Sequence, residues 1–225
     1  MAKIKFGMMM TDARGKLGGQ VFSKNAAGAY IRTKVTPSNP QSARQSAVRS
    51  LFGSISQQWS ALTDAQRAAW NGAVEDWQRT DVFGDLKKPT GKALFQRLNN
   101  QAQVAGLQAV TDVPQKLEMP EDVVSAAVID TTATEIQLTG VNSDASTRVV
   151  LFATATLSAG TKFVKNKLRQ IYSADGDAFS ATDAYAAYVD KFGAPTAGDN
   201  VYLGVKYVLA TGQASPLQVL KASVS

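Results

Sequence analysis

The chain has 225 residues, with 24 lysines and arginines against 18 aspartates and glutamates, and it contains neither cysteine nor histidine. This length suits one large or two small domains, and a hydrophobic content of 44% is ample for a buried core. Without cysteine, disulfides, thiolate nucleophiles and cysteine-bound metals are excluded, and without histidine a Ser-His-Asp triad is impossible. Carboxylate chemistry and phosphoryl transfer remain open on composition alone. Because the motifs described below supply no site for either, we expect a non-enzymatic protein with no catalytic residue, no metal and no cofactor.

The apolar stretches are short. The run of methionines near the N-terminus is too short for the hydrophobic region of a signal peptide. The longest apolar stretch, residues 149–157, has the length of a strand and falls well below the roughly 20 residues of a membrane span. We expect a soluble protein that is made in the cytoplasm and does not contact a membrane.

The positive charge is concentrated at the N-terminus. Residues 1–50 contain nine basic residues and one acidic residue, a net charge of +8, whereas residues 51–119 are neutral. Residues 120–225 contain eight basic and ten acidic residues, a net charge of −2. Such a basic segment is typical of contact with a polyanion or an acidic protein surface, and the alternative is a solvated basic tail.

Residues 1–41 are predicted to form an extended basic arm that contains a β-hairpin. Residues 20–24 and 29–35 carry the β-branched and aromatic side chains typical of strands, with turn residues between them and Gly28 free to adopt a positive φ. Glycines before the hairpin predict a flexible lead-in, and two prolines after it predict an extended exit. Because a two-stranded hairpin is only marginally stable alone, the arm needs a surface to dock on. The residues predicted to contact a partner are Arg14, Lys16, Lys24, Tyr30, Arg32 and Lys34.

Residues 42–111 are predicted to form a small helical domain. Apolar residues of the first helix recur at helical spacing and predict a buried stripe, namely Ala47, Val48, Leu51, Phe52, Ile55 and Trp59. Thr63 with Gln66 predicts a capping box at the start of a second helix. A third helix is expected after Thr90, with Leu94, Phe95, Leu98, Ala102 and Ala105 facing inward. The three tryptophans, Trp59, Trp70 and Trp77, are predicted to form the helical core, since a tryptophan stripe at this spacing is typical of a core or an interface.

Two glycine-containing segments do not match nucleotide-binding patterns. Residues 84–93 have the wrong glycine spacing for a phosphate-binding loop, and Ala93 occupies the position of the magnesium ligand. Residues 15–19 lack the spacing of the dinucleotide fingerprint. Acidic pairs, Glu121 with Asp122 and Asp175 with Asp177, are interpreted as solvated loop residues rather than as a catalytic pair or a calcium site.

The C-terminal half is predicted to be rich in strands. Residues 112–120 are predicted to be a linker, and residues 121–225 an immunoglobulin-like β-sandwich with an inserted helix over residues 181–192. The expected strands cover residues 123–129, 134–139, 147–156, 162–171, 199–210 and 216–224. The predicted fold class is thus α+β and multidomain: an arm, a helical domain and a sandwich.

Two resemblances accompany these patterns. An alternating strand, a glycine-containing turn and Ser215-Pro216 before the closing strand resemble the end of fibronectin type III and related immunoglobulin-like domains. That resemblance implies a binding module rather than an enzyme. In the first half, residues 15–25, 28–32, 36–41 and 59–63, together with Gln66-Arg67 and Trp70, resemble a family encoded among bacteriophage structural genes.

The resemblance to the phage family implies a virion component that contacts other virion proteins, in multiple copies, within a symmetric assembly. We expect a capsid-associated decoration or stabilising protein, with a protein of the neck or tail as the alternative. Nucleic-acid binding through the basic arm, with Tyr30 stacking on a base, is the second hypothesis, and an enzyme using paired carboxylates is the third.

Overall fold

The computed structural model describes residues 2–8, 10–25, 28–119, 124–141, 144, 146–158 and 160–225. Its fold is mixed α+β, as the sequence predicts, with four α-helices and three β-sheets among the described residues. One sheet has four strands, one has six and one is a two-stranded ribbon.

The N-terminal segment forms the four-stranded antiparallel sheet, which we call the arm sheet. Its strands are β1 (Ala2–Lys3), β2 (Gly15–Leu17), β3 (Gln20–Asn25) and β4 (Gly28–Thr33), in the order β1-β4-β3-β2. The predicted hairpin is β3–β4, and Gly28 has the expected positive φ of 111°. Residues 26 and 27 of its turn lie outside the described residues. The glycines predicted to form a flexible lead-in instead lie in β2 and in the tight turn that joins β2 to β3, because a Gly-Gly pair favours two-residue hairpin turns.

Three helices and a small ribbon follow. The elements are α1 (Ala43–Ala61), α2 (Asp64–Gly72), a 3₁₀ turn (Ala73–Glu75), β5 (Arg79–Thr80), β6 (Leu86–Lys87) and α3 (Gly91–Val104). Ser42, Thr63 and Thr90 cap the three α-helices, and Thr63 with Gln66 forms the predicted capping box. The second helix ends at Gly72, before Trp77, so the predicted stripe continues through the 3₁₀ turn rather than along one α-helix.

The helical core contains fewer residues of α1 than predicted. The five inward residues predicted for α3 are all buried, whereas α1 contributes only Ile55 as a fully buried residue. Ala47, Val48 and Phe52 of the predicted buried stripe are exposed. The first half of α1 extends past the body of α2 and α3, so its apolar residues have no described neighbour to cover them.

The C-terminal strands form one continuous sheet around a helix. They are β7 (Ala126–Asp130), β8 (Glu135–Thr139), β9 (Thr147–Ala153), β10 (Arg169–Asp175), β11 (Val201–Leu209) and β12 (Gln218–Val224), in the order β10-β9-β11-β12-β7-β8. Helix α4 (Ala181–Phe192) contacts both edge strands, β8 and β10, so the sheet curls around it. The pairs are antiparallel except for β12 and β7, which are parallel.

One expectation for this region differs from the structure. Residues 162–168, predicted as the start of a strand, form a loop in which Val164 and Leu168 are buried. In this segment two apolar residues pack inward without strand pairing. Hydrogen bonds join all six strands into one continuous sheet. The parallel β12–β7 pair links the four strands β10, β9, β11 and β12 to the β7–β8 hairpin. Residues 120–123, at the predicted start of the sandwich, lie outside the described residues.

The helical region packs against the curled sheet. Ala105 after α3 forms a small apolar cluster with Val150 and Val208 of the sheet. The Ser173 hydroxyl donates to the carbonyl oxygen of Ala105 at 2.9 Å. The predicted linker lies along this junction, where Gln213 accepts a hydrogen bond from the Leu117 amide at 2.8 Å.

Candidate functional site

The arm sheet has almost no core of its own. None of the described residues among positions 2–41 is buried, whereas two large apolar clusters lie in the helical region and in the curled sheet. Leu17 of β2 is 73% exposed. A sheet that buries so little apolar surface gains little stability from the hydrophobic effect, so it depends on what it contacts.

One face of the arm sheet is basic. The pairing register places Lys16 opposite Val21, and Val21 opposite Arg32, so Lys16 and Arg32 point to the same side. Two strand spacings separate their backbones by about 10 Å. Tyr30 and Lys3 are directly paired and lie on this same face. Three of the six predicted contact residues, Lys16, Tyr30 and Arg32, are thus brought together.

The other three predicted residues lie elsewhere. Arg14 pairs with Asp12, with 3.1 Å between its Nε and the carboxylate. Lys24 projects from the opposite face of β3 and lines a cleft beside Lys5 and Asp85. Lys34 follows β4, and its backbone amide donates to the carbonyl oxygen of Gly19 at 2.8 Å.

The opposite face of the arm sheet is apolar. Phe22 and Ile31 are directly paired there, next to the exposed Leu17. Both Phe22 and Ile31 are only half-buried. The arm sheet therefore presents a basic face and an apolar face.

The arm sheet docks on the β5–β6 ribbon through charged contacts, which sequence reasoning missed. The Lys3 ammonium lies 3.2 Å from the Asp81 carboxylate, and the Lys5 ammonium lies 2.9 Å from that of Asp85. The Lys5 ammonium also lies over the Phe83 ring, 5.3 Å from its centroid. The signal in the sequence was two acids spaced four residues apart within a neutral region, a pattern too common to identify a docking site.

The pKa values of Lys5 and Asp81 are shifted where the arm sheet meets the ribbon. The hydrogen bond to Asp85 raises the pKa of Lys5 above its ordinary value. Burial acts to raise the pKa of Asp81, but hydrogen bonds from the backbone amides of Phe83 and Asp85, together with Lys3, outweigh it and lower the pKa. Both charged forms are therefore favoured when the arm sheet is docked.

The remaining basic residues of the arm have no acidic partner among the described residues. No described carboxylate lies within ion-pair distance of Lys16, Lys24, Arg32 or Lys34. The net charge of the N-terminal region is thus neutralised only where β1 meets the ribbon. The basic face, as described, remains free to meet an external acidic surface.

The first half of helix α1 also carries exposed apolar residues. Val48 is 58% exposed and Phe52 is 55% exposed, and they lie one helical turn apart. The half-buried Leu51 lies beside them and packs against the helical core. The apolar residues Val48 and Phe52 of α1 are thus left exposed.

The tryptophans occupy the interior of the helical region to different depths. Trp70 is fully buried, and its indole Nε1 donates to the carbonyl oxygen of Thr111 at 2.8 Å. Trp77 is 7% exposed, and Trp59 is partly buried. Trp59 and Trp70 both pack against Phe95, with ring centroids 5.4 and 5.3 Å apart.

The acidic side chains and the helices of the described residues were compared with the requirements of metal sites and membrane spans. No group of three or more acidic side chains that could hold a metal ion was found among them. Glu121 and Asp122 lie outside the described residues, and Asp175 accepts a hydrogen bond from Arg148 at 3.0 Å instead of facing solvent alone. No helix in the described part of the chain is both long and apolar enough to span a bilayer.

Comparison with models of protein families, with curated proteins and with solved structures gave no significant match.

Proposed function

We propose that this chain is a non-enzymatic structural component of a bacteriophage virion, a capsid-associated decoration or stabilising protein whose N-terminal arm docks on neighbouring subunits. The resemblance of residues 14–77 to a family encoded among phage structural genes supports this assignment. A protein of the neck or tail is the alternative within the same class. In either place the chain resides in the virion after synthesis in the host cytoplasm.

The observation that supports the proposal best is the build of the arm sheet. It has a basic face, an apolar face and no buried residue among the described positions 2–41. Such a segment gains most of its stability when a second surface covers it. A neighbouring subunit with acidic and apolar patches would provide that cover.

The mechanism is addition of a strand together with charge pairing. Strand β2 is the last strand on one side of the arm sheet, so its outer edge can pair with an extended segment of a neighbour. Lys16 and Arg32 would meet acidic side chains and fix the register. Val48 and Phe52 of α1 would add apolar contact at the margin.

Attachment to purified phage particles tests the proposal. The full chain should co-sediment with particles, and a chain lacking residues 1–40 should fold but fail to attach. The double variant Lys16→Glu/Arg32→Glu should reduce occupancy about tenfold or more because it reverses the charge of the basic face. Lys162→Glu/Lys165→Glu is the matched control, since it makes the same charge change in an exposed loop of the sheet region.

Full occupancy by the truncated chain would contradict the docking role of the arm. Absence of the chain from particles, judged by mass spectrometry of purified virions, would contradict the virion assignment itself.

Nucleic-acid binding is the second candidate, because Lys16, Tyr30 and Arg32 lie on one face. The same variants distinguish the two functions when binding is measured against salt. Affinity for DNA contacted through phosphates should fall steeply between about 50 and 200 mM salt. Attachment to particles that persists at high salt favours the protein partner.

The C-terminal region belongs to the same proposal as an immunoglobulin-like display module over residues 121–225. The β11–β12 hairpin and the short antiparallel strands support this assignment. In this division residues 1–41 form the arm, residues 42–111 a helical domain and residues 112–120 a linker between that domain and the module.

A further inference from the structure

A small polar cavity lies where the helical region, the predicted linker and the β11–β12 turn meet. It has a volume of about 160 Å³. Three basic residues line it, Arg79 from β5, Arg97 from α3 and Lys116 from the linker. No acidic residue is among the described residues of its wall.

Arg97 is held at this cavity without a carboxylate. Its guanidinium carbon lies 5.1 Å from the centre of the Trp77 ring, and Trp77 is only 7% exposed. The contact with the face of the Trp77 ring stabilises the positive charge of Arg97. It leaves the guanidinium N–H donors without a carboxylate partner. Among the described residues, no ion pair joins Arg97 to an acid.

The environment of Arg97 disfavours its charge in the absence of an anion. Burial lowers the pKa of Arg97 to about 10, and the nearby charge of Arg79 acts in the same direction. Two like charges beside a half-buried wall are mutually destabilising, so a bound anion would relieve both effects.

The remaining wall supplies neutral hydrogen-bond groups. Gln78 and Gln101 line the cavity, and the buried Gln213 fixes the linker by donating to the carbonyl oxygen of Gln115 at 2.6 Å. Lys116 is positioned by its own hydrogen bond to the carbonyl oxygen of Asp76 at 2.7 Å. The cations therefore come from three separate segments that are held in place by ordered contacts.

We infer that this cavity, defined by Arg79, Arg97 and Lys116, binds a small oxyanion. Guanidinium groups match the planar and tetrahedral arrangements of carboxylate and phosphate oxygens, and lysine adds a point charge. The volume is about five times the ~30 Å³ share of one water molecule, which suits a single phosphate or carboxylate group. It is well below the roughly 300 Å³ of sites that enclose larger ligands, so the cavity itself encloses one such group. This inference is independent of the proposed role in a virion.

Calorimetry and thermal unfolding with inorganic phosphate test the site, with chloride used to hold the ionic strength constant. Phosphate should bind with one site per chain and raise the unfolding temperature. Arg97→Gln should weaken binding about tenfold or more, because the guanidinium donates to the anion directly. Arg49→Gln is the matched control, since Arg49 is exposed on α1 and its loss makes the same charge change.

Two further measurements complete the test. Arg79→Gln, at an exposed position of β5, should also weaken binding and serves if Arg97→Gln fails to fold. Acetate measured in parallel distinguishes the source of the oxyanion, because tighter binding of acetate than of phosphate would indicate a carboxylate occupant. Phosphate and acetate that stabilise the chain no more than chloride would overturn the inference, as would unchanged binding in both arginine variants.

Discussion

At the scale of single residues, Trp70 is the anchor of the helical region. Its side chain is fully buried, packs edge-on against Phe95 and donates a hydrogen bond to the Thr111 carbonyl. Replacement by alanine removes a large apolar surface and leaves a cavity. We expect Trp70→Ala to lower the free energy of unfolding by about 3–5 kcal/mol, measured by denaturant titration.

Phe52 provides the comparison for that measurement. It is also a large aromatic residue of the helical region, but it is 55% exposed. Phe52→Ala should change the free energy of unfolding by no more than about 0.5 kcal/mol. A cost below about 1 kcal/mol for Trp70→Ala would mean that the helical core does not depend on this ring.

The contrast between these two residues shows what a helical pattern can predict. Phe52 and Ile55 share the apolar stripe of α1, and spacing alone placed both in the core. Only Ile55 is buried, because α3 packs against the second half of the helix, where Gln96 and Gln103 donate to Ser56 and Gln58. Periodicity defines which side of a helix is apolar, but the extent of the cover depends on the lengths of its neighbours.

At the scale of elements, docking of the arm sheet on the β5–β6 ribbon should depend on pH. Burial acts to raise the pKa of Asp81, but amide hydrogen bonds within its own turn and the contact with Lys3 lower it, so the stabilisation from these contacts is present above the ordinary carboxyl value of 3.8 and is lost as the pH falls through the lowered value. The pKa of Lys5 is raised, so its contribution is present below 10.5 and is lost as the pH rises through the raised value.

Amide exchange at Ile4 reports on this docking, because Ile4 lies between Lys3 and Lys5 and its amide donates to the Ala29 carbonyl of the arm sheet at 3.1 Å. Protection of that amide, corrected for the intrinsic effect of pH, should be highest between these two limits and should decrease with salt. Asp81→Asn should remove the loss of protection at low pH, whereas Asp64→Asn, at a fully solvated carboxylate, should not. A loss of protection at low pH that persists in Asp81→Asn would assign the effect to another group.

Elements of different length were predictable to different degrees. Helices α3 and α4 follow from a capping residue and several turns of apolar spacing, and α4 begins and ends where the pattern does. Strand β1 and the β5–β6 ribbon consist of two-residue strands, which are too short to show any alternation. The docking of the arm sheet could not be predicted for that reason, because both of its partners are such strands.

The small oxyanion cavity was beyond sequence reasoning for a different reason. Arg79, Arg97 and Lys116 lie in three segments, and each resembles an ordinary solvated cation in a neutral region. Only the packing of the linker against Gln213 brings them to one wall. Long-range packing of this kind has no local pattern.

At the scale of the whole molecule, Gly212 joins the helical region to the curled sheet. It lies in the turn between β11 and β12 with φ of 75°, and a Cβ atom there would lie 2.3 Å from the backbone oxygen of Leu98 in α3. Such a contact cannot be relieved by rotating a side chain. The turn and the helix must therefore separate if any larger residue takes this place.

Gly198→Ala isolates the cost of the backbone conformation from the cost of the contact. Gly198 also has a positive φ, 88°, but nothing lies within 4 Å of its added Cβ atom. We expect Gly198→Ala to cost about 1 kcal/mol from strain alone and Gly212→Ala to cost at least about 2 kcal/mol more.

All three tryptophans lie in the helical region, so their fluorescence reports its unfolding separately from far-UV circular dichroism of the whole chain. The two signals should coincide for the unchanged chain and for Gly198→Ala, because one packed unit unfolds in one transition. They should separate in Gly212→Ala, and equal behaviour of the two variants would show that the helical region and the sheet are not coupled through this contact.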